Sequence, residues 1–278
     1  MKWTVLVDNR SENDSLVTEH GLSVLFETDN FTILLDTGAS DAFAINAEKM
    51  GVDLGDVDFV FISHGHRDHA GGLEHFIQLN KKAKVIIAPE AMNGQFLSRR
   101  NHLHSITTDW PEMSNRLLSS ITRQQTTNTN PSAYRFKIDD NIFVIGHISL
   151  THPTPKGNLN LLIEDSDGHV IQDTFRHELV LYANGFLFTG CAHCGLENIL
   201  NVCPSPIHTV VGGFHLIEDY ETDTELRDLA FRLKKNYPSV HFYTSHCTCD
   251  KAFAVLKEVL GEQIEPFCCG TTHFSPSR

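Results

Sequence analysis

Apolar and polar positions along the chain fall into short blocks with two different periods. KWTVLVDN (2–9) and LSVLFETDNFTILLDTG (22–38) are dominated by apolar and β-branched residues and read as strands, the second run turning at Asp29-Asn30. DAFAINAEKMG (41–51) sets Ala42, Ile45, Ala47 and Met50 near helical spacing, with Gly51 where a helix would stop. VDFVFIS (57–63) is a short buried strand, GGLEHFIQLN (71–80) a helix and AKVIIAP (83–89) another strand. Strand, helix and strand in alternation predict sheets with helices on their outer faces.

Between about 98 and 133 the pattern dissolves into polar residues rich in Ser, Thr, Asn and Gln. This stretch reads either as a surface excursion or as a lid over a pocket, since Trp110 and Leu117-Leu118 are poorly used in a solvated loop. Strand-like runs return at 136–146, 158–165 and 177–190, the last with an Asn184-Gly185 hairpin turn. Residues 194–203 suggest a short helix, 207–213 a strand, 222–238 a helix with Leu226, Leu229, Ala230 and Leu233 on one face, 240–246 a strand and 250–261 a helix. No repeat of fixed period is present, and 278 residues suit one large layered α/β domain, 1–278.

Charge and composition narrow the partners. A net charge of −13, without a dense run of Lys or Arg, argues against nucleic acid. The first residues hold no apolar core of a secretion signal, and no stretch is apolar for long enough to span a membrane. A soluble, cytoplasmic protein acting on a small molecule is the expectation. Seven cysteines, at 191, 194, 203, 247, 249, 268 and 269, are an odd number and argue for reduced thiols, most of them small buried apolar groups and some of them near a metal.

The chemistry concentrates at FVFISHGHRDHAGGLEHF (59–76), where His64, His66, Asp68 and His69 follow directly on a buried strand. Imidazole and carboxylate together suit zinc, iron or manganese. Side chains two apart on an extended segment point the same way, so His64 and His66 can share one ion, while Asp68 and His69 are offset enough to serve a second. Gly65, Gly71 and Gly72 are expected to let the backbone bend around the site.

SHGHRDHAGGL resembles the His-x-His-x-Asp-His signature of the metallo-β-lactamase superfamily, and LLDTG (34–38) is similar to the strand and aspartate that precede it there. The resemblance implies an α/β fold, a four-layer αββα sandwich, with one or two metal ions at a sheet edge. Together with TGCAHCGLENIL, GGFHL and SHCTC, these segments resemble the branch containing ribofuranosylaminobenzene 5′-phosphate synthase and bacterial metal-dependent hydrolases of unassigned substrate.

Further ligands are then expected from later strand ends. Cys191 stands where relatives commonly carry a bridging aspartate, and His246 stands where the last histidine ligand belongs. For the third histidine, His193 is preferred because small residues flank it just past a strand; His147, in VIGHISLTHP, is the competitor. Asp68 is expected both to ligate and to orient the attacking water, and His215, at a third strand end, is the second candidate catalytic residue. His102, His104, His152, His169 and His273 read as ordinary surface or core residues. Asp173 and Glu178 form a carboxylate pair before a strand, a position where exposed acids are common.

The implied activity is hydrolysis of an ester, lactone, amide or phosphoester by a metal-activated water, with zinc favoured. One alternative is a transferase displacing pyrophosphate from a phosphoribosyl donor, with Arg67, Arg99, Arg100 and Lys156 as phosphate-binding cations. The other is a metal or redox sensor built on Cys191-x-x-Cys194 and Cys247-x-Cys249.

Overall fold

A computed structural model describes residues 1–113, 115–117, 124–125, 134–218 and 220–274. The chain forms two compact units. The first takes in the described residues of Met1–Leu97, His104–Ile121 and Phe267–Arg278, and the second those of Ser98–Leu103 and Thr122–Pro266.

In the first unit β1 (Lys2–Val7), β2 (Ser23–Glu27) and β3 (Thr32–Leu35) form an antiparallel meander. The Thr28 N–H donates to the Phe31 carbonyl and closes the turn expected at Asp29-Asn30. The chain then crosses over through α1 (Ala42–Met50), so that β4 (Phe59–Phe61) lies parallel to β3. After α2 (Arg67–Ala70) and α3 (Leu73–Leu79), β5 (Lys84–Ile86) lies parallel to β4. The last strand of the chain, Thr272–Phe274, pairs with the other edge of β1. Trp3, Val24, Phe26, Leu34 and Phe61 are buried, as the apolar runs required.

The α1 helix ends at Gly51, which is left-handed (φ 70°), as its position suggested. Its buried face, however, differs from the expected one: Ile45 is exposed, while Phe43 and Asn46 are buried. The apolar count misses Asn46 because its burial is polar in origin. Its amide donates to the carbonyls of Leu6 and Val17, and its oxygen accepts from the Val17 N–H, so the side chain ties β1 and the following loop to the helix.

Part of the polar stretch belongs to this unit's framework. Beyond α4 (Pro89–Asn93) and β6 (Gln95–Ser98), β7 (His104–Ser105) leads into residues that bridge to the motif: Thr107 pairs with His66, and the Arg67 N–H donates to the Ile106 carbonyl at 2.9 Å. Leu117 bridges to Val85. Leu118, with the rest of 118–123 and with 126–133, lies outside the described residues.

In the second unit β8 (Gln124–Gln125), β9 (Tyr134–Asp139), β10 (Ile142–Gly146), β13 (Leu179–Ala183) and β14 (Phe186–Phe188) form the antiparallel half of a sheet. β11 (Leu161–Glu164) and β12 (Val170–Gln172) pair antiparallel, outside that sheet. Asn184 and Gly185 both have positive φ (50° and 86°), the geometry of a type I′ turn.

The other half of the sheet is parallel. Past α5 (Leu196–Val202), β15 (Thr209–Val211) pairs with β14; past α6 (Asp223–Asn236), β16 (His241–Thr244) pairs with β15; past α7 (Asp250–Leu260), β17 (Ile264–Pro266) pairs with β16. A capping box between Thr222 and Glu225 starts α6, whose buried face carries Leu226, Ala230 and Leu233. Leu226 and Leu233 each contribute roughly 1.5–3 kcal/mol of burial. Among the described residues, no helix is long and apolar enough to cross a membrane.

Candidate functional site

The histidine motif is held through Ser63 by a residue 27 positions before that serine. Because β3 and β4 are parallel with Leu35 opposite Phe61, their C-terminal ends lie side by side. Asp36, left-handed at φ 58° and fully buried, donates its N–H to the Phe61 carbonyl and turns its carboxylate towards Ser63. One carboxylate oxygen accepts the Ser63 N–H at 2.7 Å; the other accepts the Ser63 hydroxyl at 2.7 Å and lies 2.7 Å from His69 Nδ1. The Ser63 oxygen lies 2.8 Å from His64 Nδ1. With the hydroxyl donating to Asp36, both imidazoles carry hydrogen on Nδ1 and have Nε2 as their acceptor nitrogen. A carboxylate behind a histidine is how metal-binding imidazoles are fixed in tautomer and orientation.

The four motif residues are gathered by this frame. The His64 ring lies 4.1 Å from that of His69 and 4.6 Å from that of His66, between centroids. The Asp68 carboxylate is 3.7 Å from His69 Nε2 and 3.4 Å from His20 Nε2. Thr37 donates its N–H and hydroxyl to the His69 carbonyl, which ties α2 to the segment that follows β3. Of the three expected hinge glycines, none has positive φ. They are there for space: a Cβ on Gly65 would stand 2.3 Å from the Phe96 ring.

In the second unit three parallel strands end in side chains of ligand type. Cys191 and His193 follow β14, His215 follows β15, and His246 and Cys247 follow β16. Ala192, His215 and His246 are all left-handed (φ 55°, 47° and 54°), a conformation costing about 1–3 kcal/mol each and concentrated at functional sites. The loops interlock through the Gly213 N–H, which donates to the Gly190 carbonyl at 2.7 Å, and through the His215 N–H, which donates to Cys247 Sγ at 3.3 Å.

His193 is oriented much as His64 and His69 are. Its Nδ1 lies 3.0 Å from the Asn158 side-chain oxygen, Asn158 Nδ2 donates to its carbonyl at 2.8 Å, and its ring stacks on Phe175 at 4.5 Å and lies 4.3 Å from that of His215. His147 is half-buried, left-handed at φ 51°, and joins none of the ligand groupings among the described residues. Asp173 and Glu178 are buried, not exposed as their loop position suggested. Asp173 holds His177 Nε2 at 3.0 Å, while Glu178 accepts the N–H groups of His193 and Cys194 at 2.6 and 2.7 Å. Burial pushes the Glu178 carboxyl up despite those two donors.

The cysteines sort differently from the pairings in the sequence. Cys194 points at the Phe175 carbonyl, and burial beside Glu178 raises its thiol well above the usual range. Cys249 caps α7 by accepting the Ala252 N–H, and Cys269 is buried and pushed up to about 12. Cys247 moves the other way. Burial disfavours its thiolate, but the Cys191 thiol and the His215 and His246 imidazoles outweigh that and hold it well below the ordinary value.

His102, His104 and His169 are exposed and His152 is half-buried, while His273 stacks on Trp3 at 4.6 Å. Asp36, Ser63 and Asn158 were not named as site residues from the sequence, and Cys247 was named only beside Cys249 in the sensor alternative; LLDTG, SHGHRDHAGGL and SHCTC hold Asp36, Ser63 and Cys247.

A model of the metallo-β-lactamase superfamily matches residues 17–171, a stretch that includes Asp36 and the whole histidine motif. The chain belongs to the metallo-β-lactamase superfamily. Within the superfamily, it is 29% identical to Tm1679, whose crystal structure is described as that of a metal-dependent hydrolase; the two superpose over 100% of each chain with a TM-score of 0.81. The fold is thus the α/β one of that superfamily. An uncharacterised protein of Methanocaldococcus jannaschii is 28% identical, with 92% of this chain and 93% of that one covered. The 7,8-dihydropterin-6-methyl-4-(β-D-ribofuranosyl)-aminobenzene-5′-phosphate synthase of the same organism is 23% identical, over 96% and 94%.

Membership implies divalent metal, and the donor set fits one. His215 is 7% exposed and neither of its ring nitrogens has a hydrogen-bond partner among the described residues, a costly arrangement for a neutral imidazole unless something binds there.

Proposed function

We propose that the protein is a zinc-dependent hydrolase of a small ester, lactone, amide or phosphoester in the cytoplasm. The observation that supports the reading is the Asp36–Ser63 network behind His64 and His69, which orients two buried imidazoles so that Nε2 is the nitrogen each would offer to an ion. In this reading His64, His66, Asp68 and His69 ligate in the first unit, and Cys191, His193 and His246 in the second. When bound, the ion supplies Lewis acidity, making water a nucleophile near neutral pH and offsetting charge on the leaving oxygen. Asp68, 22% exposed at its side chain, can accept a hydrogen bond from the attacking water and set its direction. Small residues at Gly190, Ala192 and Gly195 leave the His193 loop open to close approach.

The synthase relative favours a second reading, a phosphoribosyl transferase. The cations suggested for it are largely engaged elsewhere: Arg100 pairs with Glu218, Lys156 with Glu225, and Arg99 donates to the Leu159 carbonyl. Hydrolysis needs no such cluster and is the better-supported reading.

The test is turnover of lactone and phosphodiester substrates by zinc-loaded protein. Hydrolysis that chelation abolishes and zinc restores is expected. Turnover confined to a phosphoribosyl donor with an aromatic amine would replace the hydrolase reading with the transferase.

A further inference from the structure

We propose that Cys191, His215 and Cys247 form a thiolate-rich metal site contained within the second unit, selective for thiophilic ions such as zinc or cadmium. The sequence offered Cys247 only beside Cys249 and His215 only as a catalytic candidate; the site shares Cys191 with the ligand set proposed above and rests on geometry within the second unit, whatever reaction the protein catalyses.

Three observations carry it. First, Sγ of both cysteines and a ring nitrogen of His215 lie within 4.8 Å of one another, and all three side chains are buried. Ligand atoms about 2.0–2.3 Å from a tetrahedral ion sit roughly 3.3–3.8 Å apart, so small side-chain rotations close the triangle. Second, both His215 ring nitrogens are buried without a hydrogen-bond partner among the described residues, on a residue held left-handed at φ 47°. An imidazole serving only as packing would have found an acceptor. Third, the supporting contacts suit a thiolate. The His215 N–H donates to Cys247 Sγ at 3.3 Å, and Gly213 leaves room for that sulfur, since a Cβ there would stand 2.3 Å from it.

Two thiolates and one imidazole make a Cys2His set, which leaves a tetrahedral ion one position for a solvent or substrate atom. Soft donors also separate this site chemically from the His and Asp donors of the first unit, which suit harder ions equally well. The chain is thereby equipped to discriminate between ions by softness rather than by overall affinity.

The experiment is a cadmium titration of the reduced full-length protein, followed by the ultraviolet charge-transfer absorption of thiolate-bound cadmium. The expected band saturates at about one equivalent, disappears in Cys247→Ser, and persists in His66→Ala. Circular dichroism confirms that the variants fold. X-ray absorption of the wild-type cadmium form needs no variant and should show two sulfur neighbours. Absence of the band in reduced wild-type protein, or its survival in Cys247→Ser, would overturn the proposal. The hydrolase reading is judged separately by turnover, so either can fail alone.

Discussion

Asp36→Asn isolates the carboxylate behind the histidine motif with little other disturbance. Asn is among the few residues that accept the left-handed backbone found at this position, so the β3 terminus is retained; Ala would add about 1–2 kcal/mol of backbone strain. The amide cannot replace the carboxylate. If its oxygen keeps the Ser63 N–H, its NH2 group faces His69 Nδ1, 2.7 Å from the present carboxylate oxygen. His69 must then give up that bond or move its hydrogen to Nε2, the nitrogen needed for coordination. If the amide is reversed, the buried Ser63 N–H loses its acceptor.

Loss of such a supporting group weakens metal affinity by about 10–100-fold, or about 1.4–2.7 kcal/mol. Competition against a chromophoric zinc chelator at fixed pH reads this directly, with circular dichroism as the check on folding. Zinc affinity within about threefold of wild type would refute the argument that Asp36 orients the ligands.

Asn158→Ala removes both the acceptor at His193 Nδ1 and the donor to the His193 carbonyl, and should weaken zinc binding by about 10-fold or more in the same competition assay. Gly65→Ala should lower stability by about 1–3 kcal/mol in a urea melt, because its Cβ would meet the Phe96 ring at 2.3 Å and the Ala91 carbonyl at 3.0 Å. Lys156, with the Thr222 cap, holds the Glu225 carboxyl down to about 2 from 4.5. That contribution to stability is present above 4.5 and is lost as pH falls towards 2, so Lys156→Met should raise the Glu225 midpoint in a carboxyl NMR titration and flatten the acid limb of stability.

What the sequence made legible was local. Strand and helix positions followed from apolar runs, the Asn184-Gly185 turn from its residue types, and the clustering of chelating side chains at 64–69 from their spacing. The relations that orient those side chains are not local. Asp36 reaches Ser63 only because β3 and β4 are parallel and in register, and Cys191 meets Cys247 only because β14, β15 and β16 end side by side. The sequence suggested neighbouring cysteines as partners, yet Cys194 turns to the Phe175 carbonyl and Cys249 to a helix cap. The burial of Asn46 on α1 and of Glu178 before β13 was hidden for the same reason, since each is buried by hydrogen bonds to segments distant in sequence, whereas the Asp173 carboxylate is held by its near neighbours Phe175 and His177.

If His64, His66, Asp68 and His69 bind metal, elemental analysis of protein purified without added metal should find it. The expected result is at least one transition-metal ion per wild-type chain and loss of most of the metal held by the first unit in a His66→Ala, Asp68→Ala double variant. Wild-type protein free of metal, or a double variant with unchanged metal content, would contradict it.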